Sequence, residues 1–290
     1  MAGQFLTNDV VLQVVGDKAA KFLHGQLSNS ITTLQVGQGN QNALLSQKGK
    51  VQGLCFALHT VAGFLLLTDP ASEPALTGHL KKLAPLSRCR LNHSDKAVIY
   101  LGAFSDHDAF QLNLGDSQHW QESSHSALLF RSDRYGERGY DLVIETQDYD
   151  FWQDTLSQKN FVELSEEQIE TTRIQNTVPR FGEDVTTDHL PQEARLDRVL
   201  HFDKGCYLGQ EVIARLHYRG HANKFLTSLR SESPVQIGDA LCSDDKEISV
   251  VTSVVDLNGA FCFLSYVPHK VLENKGALMV NGEKVVLVKN

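Results

Sequence analysis

The chain is poor in the features that would staple it together or carry it into a membrane. Its five cysteines, Cys55, Cys89, Cys206, Cys242 and Cys262, are an odd number, widely spread, and no two stand as C-x-x-C. A disulfide framework or a zinc ribbon needs pairing or close spacing, so neither is expected and the thiols are read as reduced. No apolar run approaches the roughly 20 residues of a membrane span. The longest, "VAGFLLLT", is strand-sized and broken by Gly63. The opening "MAGQFLTNDV" has no basic stretch ahead of an apolar core, so no secretory signal is expected and the location predicted is cytoplasmic. Positive charge is also short, with 27 Lys and Arg against 35 Asp and Glu and a formal net charge of -8. That balance argues against broad nonspecific nucleic-acid binding. A local basic patch remains compatible with it, because Arg215, Arg219 and Lys224 lie close to His217 and His221.

What is present is ordinary globular material. Hydrophobic residues make up 41% and charged residues 21%, which excludes disorder, and 290 residues are enough for two or three packed lobes. "VVLQVVG" reads as a buried strand, and "DKAAKFLHGQL" as a helix with Asp17 as N-cap and Ala19, Phe22, Leu23 and Leu27 on one face. "LCFAL" and "FLLLT" form a predicted hairpin, followed by a helix over Glu73 to Leu83 and a strand "AVIYL". A polar stretch runs from Ser105 to Ser126; "ALLFRS" and "YDLVIE" then read as strands flanking the turn "DRYGERG", and "DFWQDTLSQK" as a helix. Ser165 and Gln168 stand at capping-box spacing, and the helix they open should stop before Pro179. Beyond Lys224 the texture turns to short β-rich runs, with Asn258-Gly259 and Asn281-Gly282 marking tight hairpins. The expected organisation is α+β: a body over residues 1–223 made of two interleaved lobes, and a small β-barrel over 224–290.

The stretch that bears on chemistry is "FDKGCYLGQEVIARLHYRG". Leu208, Val212, Ile213 and Leu216 recur at helical spacing, which predicts a helix starting within a residue or two of Tyr207. Cys206 would then stand at a helix N-terminus, where unpaired N–H groups and the dipole favour a thiolate, and Lys204 would add a cation. The alternative is a small buried hydrophobe, as most free cysteines are. Spacing alone leaves the two readings even.

"KGCYLGQE" resembles the K-G-C-Y-x-G-Q-E signature of the YgfZ family of folate-binding proteins, which are related to the aminomethyltransferase (T-protein) of the glycine cleavage system. "KFLHGQLSNSITTL", "LSQKGKVQGLCF" and "RIQNTVPRFGEDVTTDHLPQEARLD" are similar to other elements of that family, so the likeness runs from about Lys21 to Lys224. The resemblance implies two ferredoxin-like lobes and a C-terminal β-barrel around a central folate channel, with tetrahydrofolate as the cofactor. It also implies a role in assembly or repair of iron-sulfur clusters in client enzymes, including tRNA-modifying ones. The expected partners are reduced folate, those iron-sulfur clients or their assembly proteins, and tRNA, with no membrane.

On the matching positions the resemblance makes Cys206 and Lys204 the catalytic pair and Tyr207 and Gln210 cofactor contacts. Glu137, in "RYGERGYDLVI", matches the carboxylate that holds the pterin in T-proteins, since a carboxylate accepts two parallel N–H bonds. An exposed turn glutamate is the alternative. Arg173 matches an arginine that meets the folate tail; its alternative is a helix-surface arginine beside Glu170. One departure stands out. Where T-proteins carry an acidic pair this chain has Gln52, Gly53 and Leu54, so the acid-base help for aminomethyl transfer is missing there and whether the chain is an enzyme stays open. A one-carbon transferase and a tRNA-binding module are the competing readings.

Weaker signals remain. His217 and His221 are spaced to share a helix face as metal ligands, but no third ligand is visible. "GQGN" is a plain turn rather than a phosphate loop, and Asp188-His189 is a loop pair that could assist a cysteine nucleophile.

Overall fold

The computed structural model describes residues 2–102 and 110–288. In chain order, β1 (Gly3–Leu6) and β2 (Val10–Val15) lead to helix α1 (Ala19–Gln26), then β3 (Gly39–Leu45), β4 (Val51–Thr60), β5 (Gly63–Thr68), α2 (Glu73–Leu83), β6 (Arg90–His93) and β7 (Lys96–Gly102). Next come β8 (Ser117–Glu122), β9 (His125–Arg131), β10 (Tyr140–Glu145), α3 (Tyr149–Gln158), β11 (Val162–Glu163) and α4 (Glu166–Gln175). After a long connection follow α5 (Gln210–Arg219), β12 (Lys224–Ser231), β13 (Ala240–Ser243), β14 (Lys246–Asp256), β15 (Phe261–Pro268), α6 (His269–Glu273), β16 (Leu278–Val280) and β17 (Glu283–Leu287).

Two sheets make the body. One has the order β3-β4-β5-β2-β6, the other β11-β1-β7-β10-β9-β8. Their central strands are apolar on both faces, which is why they read as continuous hydrophobic runs rather than as an alternation with polar residues. Leu12 and Val14 of β2 and Phe64 and Leu66 of β5 pack under α1 and α2, while Val11, Leu65 and Leu67 between them point the other way. The second sheet repeats the device: Ile99, Leu101, Leu142 and Ile144 meet Trp152 and Leu156 of α3, and Val98, Phe130 and Val143 face the first sheet. The opposed faces meet in one apolar layer, with the rings of Phe56 and Phe130 stacked at 4.6 Å. The order across the body is therefore helices, sheet, sheet, helix.

Strands β12 to β17 close into a six-stranded barrel in the order β12-β15-β14-β13-β16-β17, filled by Leu229, Leu241, Phe263, Val267 and Val280. Both Asn-Gly pairs turn hairpins there as expected, with positive φ at Asn258 and Gly259 and at Asn281 and Gly282. The barrel is fastened to the body by one buried network. Arg173, on α4, is 2% exposed and spends all five of its N–H groups on the chain itself. Nη1 donates to Asp184 Oδ2 at 2.6 Å and to the Val178 carbonyl, Nη2 donates to Glu170 and to Ser253 Oγ at 2.9 Å, and Nε donates to Glu170. Asp184, fully buried, accepts also from Ser253 Oγ and Thr252 Oγ1 on β14 and from the Arg180 amide, and Tyr266 of β15 donates to its carbonyl. Ile174 on the same helix joins Leu226, Leu264 and Tyr266 in an apolar contact beside the network.

The predicted strands and helices are present, and the capping box at Ser165 and Gln168 forms in both directions. Three expectations are corrected. Asp17 is not the N-cap of α1, whose cap residue is Lys18 with no side-chain bond. The polar stretch that begins at Ser105 contains β8, an outer strand that polar residues suit because one face is wet; its residues 105–109 lie outside the described residues. Helix α5 begins at Gln210, three residues later than Tyr207, because Leu208 and Gly209 are spent on a turn with Gly209 at φ +81°.

Removing Arg173 should strand two carboxylates at a lobe junction. Arg173→Met is expected to lower stability by about 3–5 kcal/mol in urea denaturation. Arg230→Met, which breaks the exposed pair with Glu232, should change it by about 0.5 kcal/mol or less.

Candidate functional site

A cavity of about 550 Å³ lies where the two sheets and α4 converge. Its wall takes Phe5 from β1, Leu54 and Phe56 from β4, Leu67 from β5, Ile169 and Arg173 from α4, and Phe181 and Val199 from the connection before α5. A second cavity of about 590 Å³ is lined by barrel residues Leu226, Ser228 and Leu287 and shares Gln41, Arg134, Val178, Pro179 and Leu196 with the first. Arg134 stands where the two meet. A hollow of this size, lined about equally by apolar and polar side chains, has the volume of a small-molecule site.

Besides Arg173 with Glu170, Arg180 and Glu183, its polar groups form two further clusters. Arg134 pairs with Asp9, Nη2 to Oδ2 at 2.5 Å, and with Asp141, Nε to Oδ2 at 3.0 Å. Asp141 has no exposed surface, and burial lifts its carboxyl to about 6, against the pull of the Arg134 charge. Asp69, beside the cavity just after β5, accepts from the amide and hydroxyl of Ser72, the N-cap residue of α2, and burial raises its carboxyl too. None of these acids belongs to the segment of Gln52 to Leu54. The cavity takes its carboxylates from Asp9, Asp69, Asp141, Glu166, Glu170 and Glu183, so the lack of an acid at Gln52 does not leave it without acids.

The three motif stretches converge elsewhere, on the loop before α5. The ammonium of Lys204, in a nine-tenths buried residue, donates to the carbonyls of His24 at 2.6 Å, Leu27 at 2.6 Å and Asn29 at 2.7 Å. These sit at the end of α1, where unpaired carbonyls and the negative end of the helix dipole receive a cation. The Tyr207 ring lies 4.9 Å from the same nitrogen, and burial draws Lys204 down to about 8. Gly209 lies against the turn at Ser46–Gly49: a Cβ there would come within 2.4 Å of the Ser46 carbonyl, so only glycine fits. "KFLHGQLSNS", "SQKGK" and "KGCYLGQE" are thus one tied assembly.

On that assembly Cys206 is exposed, while Cys55, Cys89 and Cys262 are buried and Cys242 is intermediate. The causes expected to activate it are directed elsewhere. Lys204 is committed to three carbonyls, and Cys206 stands three residues ahead of the Gly209 cap of α5. Tyr207 is buried against Leu45, Val51 and Phe181, its hydroxyl without a partner and pushed up to about 12 by burial. Gln210 Nε2 donates to the Lys204 carbonyl. Neither Cys206, Lys204, Tyr207 nor Gln210 lines either cavity. Tyr207 packs in the same cluster as Phe181 and Val199, which do, so the loop sits one layer of side chains behind the wall.

Glu137 is exposed and outside both linings; its Oε1 accepts from Asn176 Nδ2 at 3.3 Å. Arg173 reaches the cavity wall, but as a buried tie rather than a helix-surface residue or a free cation. His217 stacks on Phe202 and His221 faces His269, and no group of three metal-ligating side chains occurs among the described residues. His189 accepts from the Thr186 amide and stacks on Tyr266, far from a thiol partnership. Arg134, Asp141, Ser132 and Asp69 are among the polar wall residues that sequence reasoning passed over. Asp141 carried a faint signal, a carboxylate inside the apolar strand "YDLVIE".

No described helix is long and apolar enough to cross a membrane. No family model matches the chain. It is 27% identical to the tRNA-modifying protein YgfZ of Hamiltonella defensa, over 94% of this chain and 85% of that one. It is 24% identical to the tRNA-modifying protein YgfZ of Vibrio atlanticus over 72% of its own length, and spans 63% of that relative. Among solved structures, glycine cleavage system aminomethyltransferase T from Bartonella henselae superposes with a TM-score of 0.85 at 18% identity, covering 99% of this chain and 85% of that one. The sequence matches bear out the resemblance read from the motifs, and the structural match shows the T-protein-like fold.

Two outcomes are expected. Lys204→Met leaves three carbonyls unpaired and should cost about 2–3 kcal/mol, with faster limited proteolysis between residues 203 and 209. For Asp141 the folded carboxyl titrates at about 6 against an ordinary 3.8. The folded state therefore holds more protons between those values, and this group's contribution to stability falls as pH rises from about 4 to 6. Denaturation of the wild type and of Asp141→Asn across that window should show the decline in the first only.

Proposed function

We propose, from the premise of a YgfZ-like chain on the aminomethyltransferase T fold, that the protein binds a reduced folate in the central cavity and supports the assembly or repair of iron-sulfur clusters in client enzymes, tRNA-modifying ones included. The observation that carries this reading is the pair of adjoining cavities, sharing Gln41, Arg134, Val178, Pro179 and Leu196, between sheets, α4 and barrel. Their volumes of about 550 and 590 Å³ suit a ligand with a ring at one end and a tail at the other. Apolar walls from β4 and β5 fit the ring system. Arg195 and Arg198, which line the second cavity, offer cations to the carboxylates of a tail in place of the committed Arg173. Tetrahydrofolate would be held by these walls; when bound it supplies a one-carbon carrier.

The thiol is the second part of the reading. Cys206 is presented to solvent on a loop pinned by Lys204 and by the close approach of Gly209, which suits a group that must meet a macromolecular partner. Its nearest chemical use is transient bonding to a cluster being delivered. A one-carbon transferase remains a second reading, favoured by Asp69, a cavity carboxyl raised by burial in the manner of a general acid.

Anaerobic titration calorimetry with tetrahydrofolate should give saturable binding at micromolar concentration; no heat up to high micromolar would remove the folate assignment. Cys206 should alkylate fastest of the five cysteines when modification is followed site by site by mass spectrometry. Cys206→Ser should fold and melt as the wild type does, yet fail to restore iron-sulfur enzyme activity in cells lacking the protein; full restoration would make the thiol dispensable. Turnover of an aminomethyl-lipoyl carrier, abolished in Asp69→Asn, would decide for the transferase.

A further inference from the structure

The basic run at the end of α5, which contains Arg215, Arg219 and the histidines beside them, lines neither cavity. Helix α5 buries Ile213 and turns Arg215, Tyr218 and Arg219, at i, i+3 and i+4, to one outward face. All three are exposed, Tyr218 by 62%. Arg131, Arg134, Arg173, Arg180 and Arg230 each meet a carboxylate, whereas Arg215 and Arg219 meet none among the described residues. The helix dipole accounts for a cation at Arg219, in the last turn, but not for Arg215 one turn earlier. Like charges four residues apart work against the helix. An anion laid across them removes that repulsion.

The ring between the two arginines is held in place. Tyr218 stands edge-on to His217 at 4.8 Å, His217 is stacked on Phe202 at 3.7 Å, and the Tyr218 hydroxyl donates to Asp203 Oδ1 at 3.4 Å. Phe202 and Asp203 belong to the loop that carries Cys206, so the ring is fixed to that loop while most of its surface stays in water. The turn Ser46–Gly49 lies against the start of the same helix, since a Cβ at Gly49 would come 3.2 Å from Val212 Cβ. Lys48 on that turn is exposed and makes no ion pair among the described residues. The acids on this side are Glu211, exposed at the first turn, and Asp203, engaged by Tyr218.

We propose that this face of α5 binds single-stranded RNA, with Arg215, Arg219 and Lys48 on phosphates and a base stacked on the Tyr218 ring. A single strand offers a repeating anion together with flat base faces, which are the two things this surface can receive. An acidic polypeptide supplies the charge alone and leaves the ring wet, and a double helix keeps its base faces inside the stack. The formal net charge of -8 disfavours a polyanion over the rest of the surface and confines it to such a patch. The choice of RNA rests on the reading that the clients include tRNA-modifying enzymes, and deepens it: the client's own substrate is seated beside the loop of Cys206.

The test is fluorescence anisotropy of a fluorescein-labelled single-stranded RNA of about 12 nucleotides, titrated with the full chain at several salt concentrations. Three phosphate contacts give a slope of log K against log salt of about -2, and Arg219→Gln should weaken binding and bring the slope to about -1.4. Tyr218→Ala should weaken binding about tenfold with the slope unchanged, while Tyr218→Phe, which keeps the ring and loses the bond to Asp203, should bind as the wild type does. Arg230→Gln, on the barrel, should alter neither quantity. No binding at high micromolar protein and about 50 mM salt would overturn the proposal, as would wild-type affinity and slope in the Arg219 and Tyr218 variants. Equal binding of poly-L-glutamate, with loss in Arg219→Gln and none in Tyr218→Ala, would give the face to an acidic polypeptide and overturn it too. In each of these outcomes the folate titration and the requirement for Cys206 are read independently, so the proposed function stands or falls by its own measurements.

Discussion

The architecture hangs on the buried contact of Arg173 with Asp184. Helix α4, the connection that follows it and strand β14 of the barrel meet where Ile174 packs on barrel residues and where these two charges, taken out of water, find each other. Isolated, each would be costly to bury. Paired, and with Glu170, Ser253, Thr252 and two backbone groups filling the remaining bonding directions while Tyr266 holds the Asp184 carbonyl, they tie the helix to the barrel. The cavities border this junction, so their shape is a consequence of a salt bridge that touches solvent almost nowhere.

The same logic of double burial governs the body. Sheets covered on both faces give stiff walls, and the hollow occurs where the shared apolar layer ends and polar side chains replace it. Asp141 is tolerated at that edge because Arg134 neutralises it and the Ser132 hydroxyl lies against its carboxylate. The tied loop before α5 follows a different principle: a lysine closes the end of α1 while glycines let two turns touch. Rigidity is thus delivered by charge in one place and by the absence of side chains in another.

How much of this could be read beforehand follows from range. Strands with two buried faces announce themselves as "VVLQVV" or "FLLLT", and the capping box and Asn-Gly turns are local chemistry, so they were legible. Lys204 was noticed for its neighbour Cys206. Its actual partners lie about 175 to 180 residues away, and no spacing rule reports them. Arg173 was noticed for the wrong freedom, since Asp184 looks like any loop aspartate until β14 arrives. Asp141 sat in plain view inside an apolar strand, but what makes it a wall residue is its pairing with Arg134 beside the cavity, which only the packed wall reveals. The start of α5 was misjudged because helical periodicity continues back through Leu208, while the turn at Gly209 is imposed by contact with Ser46.

Strand β1 carries a further consequence. It enters the second sheet between β7 and β11, although β2, only a few residues later, belongs to the first. The first four-strand nucleus of β2 to β5 is complete once residue 68 has been made, but β1 finds its antiparallel neighbour only when β7 exists and its parallel one only at Val162. During synthesis the earliest strand to emerge therefore waits for a partner until β7 is made, after the later strands β2 to β6 have found theirs. An unpaired apolar edge exposed for that long invites partners other than its own, so the interleaving of the lobes makes the chain's birth order, and not only its final packing, a matter of physical chemistry.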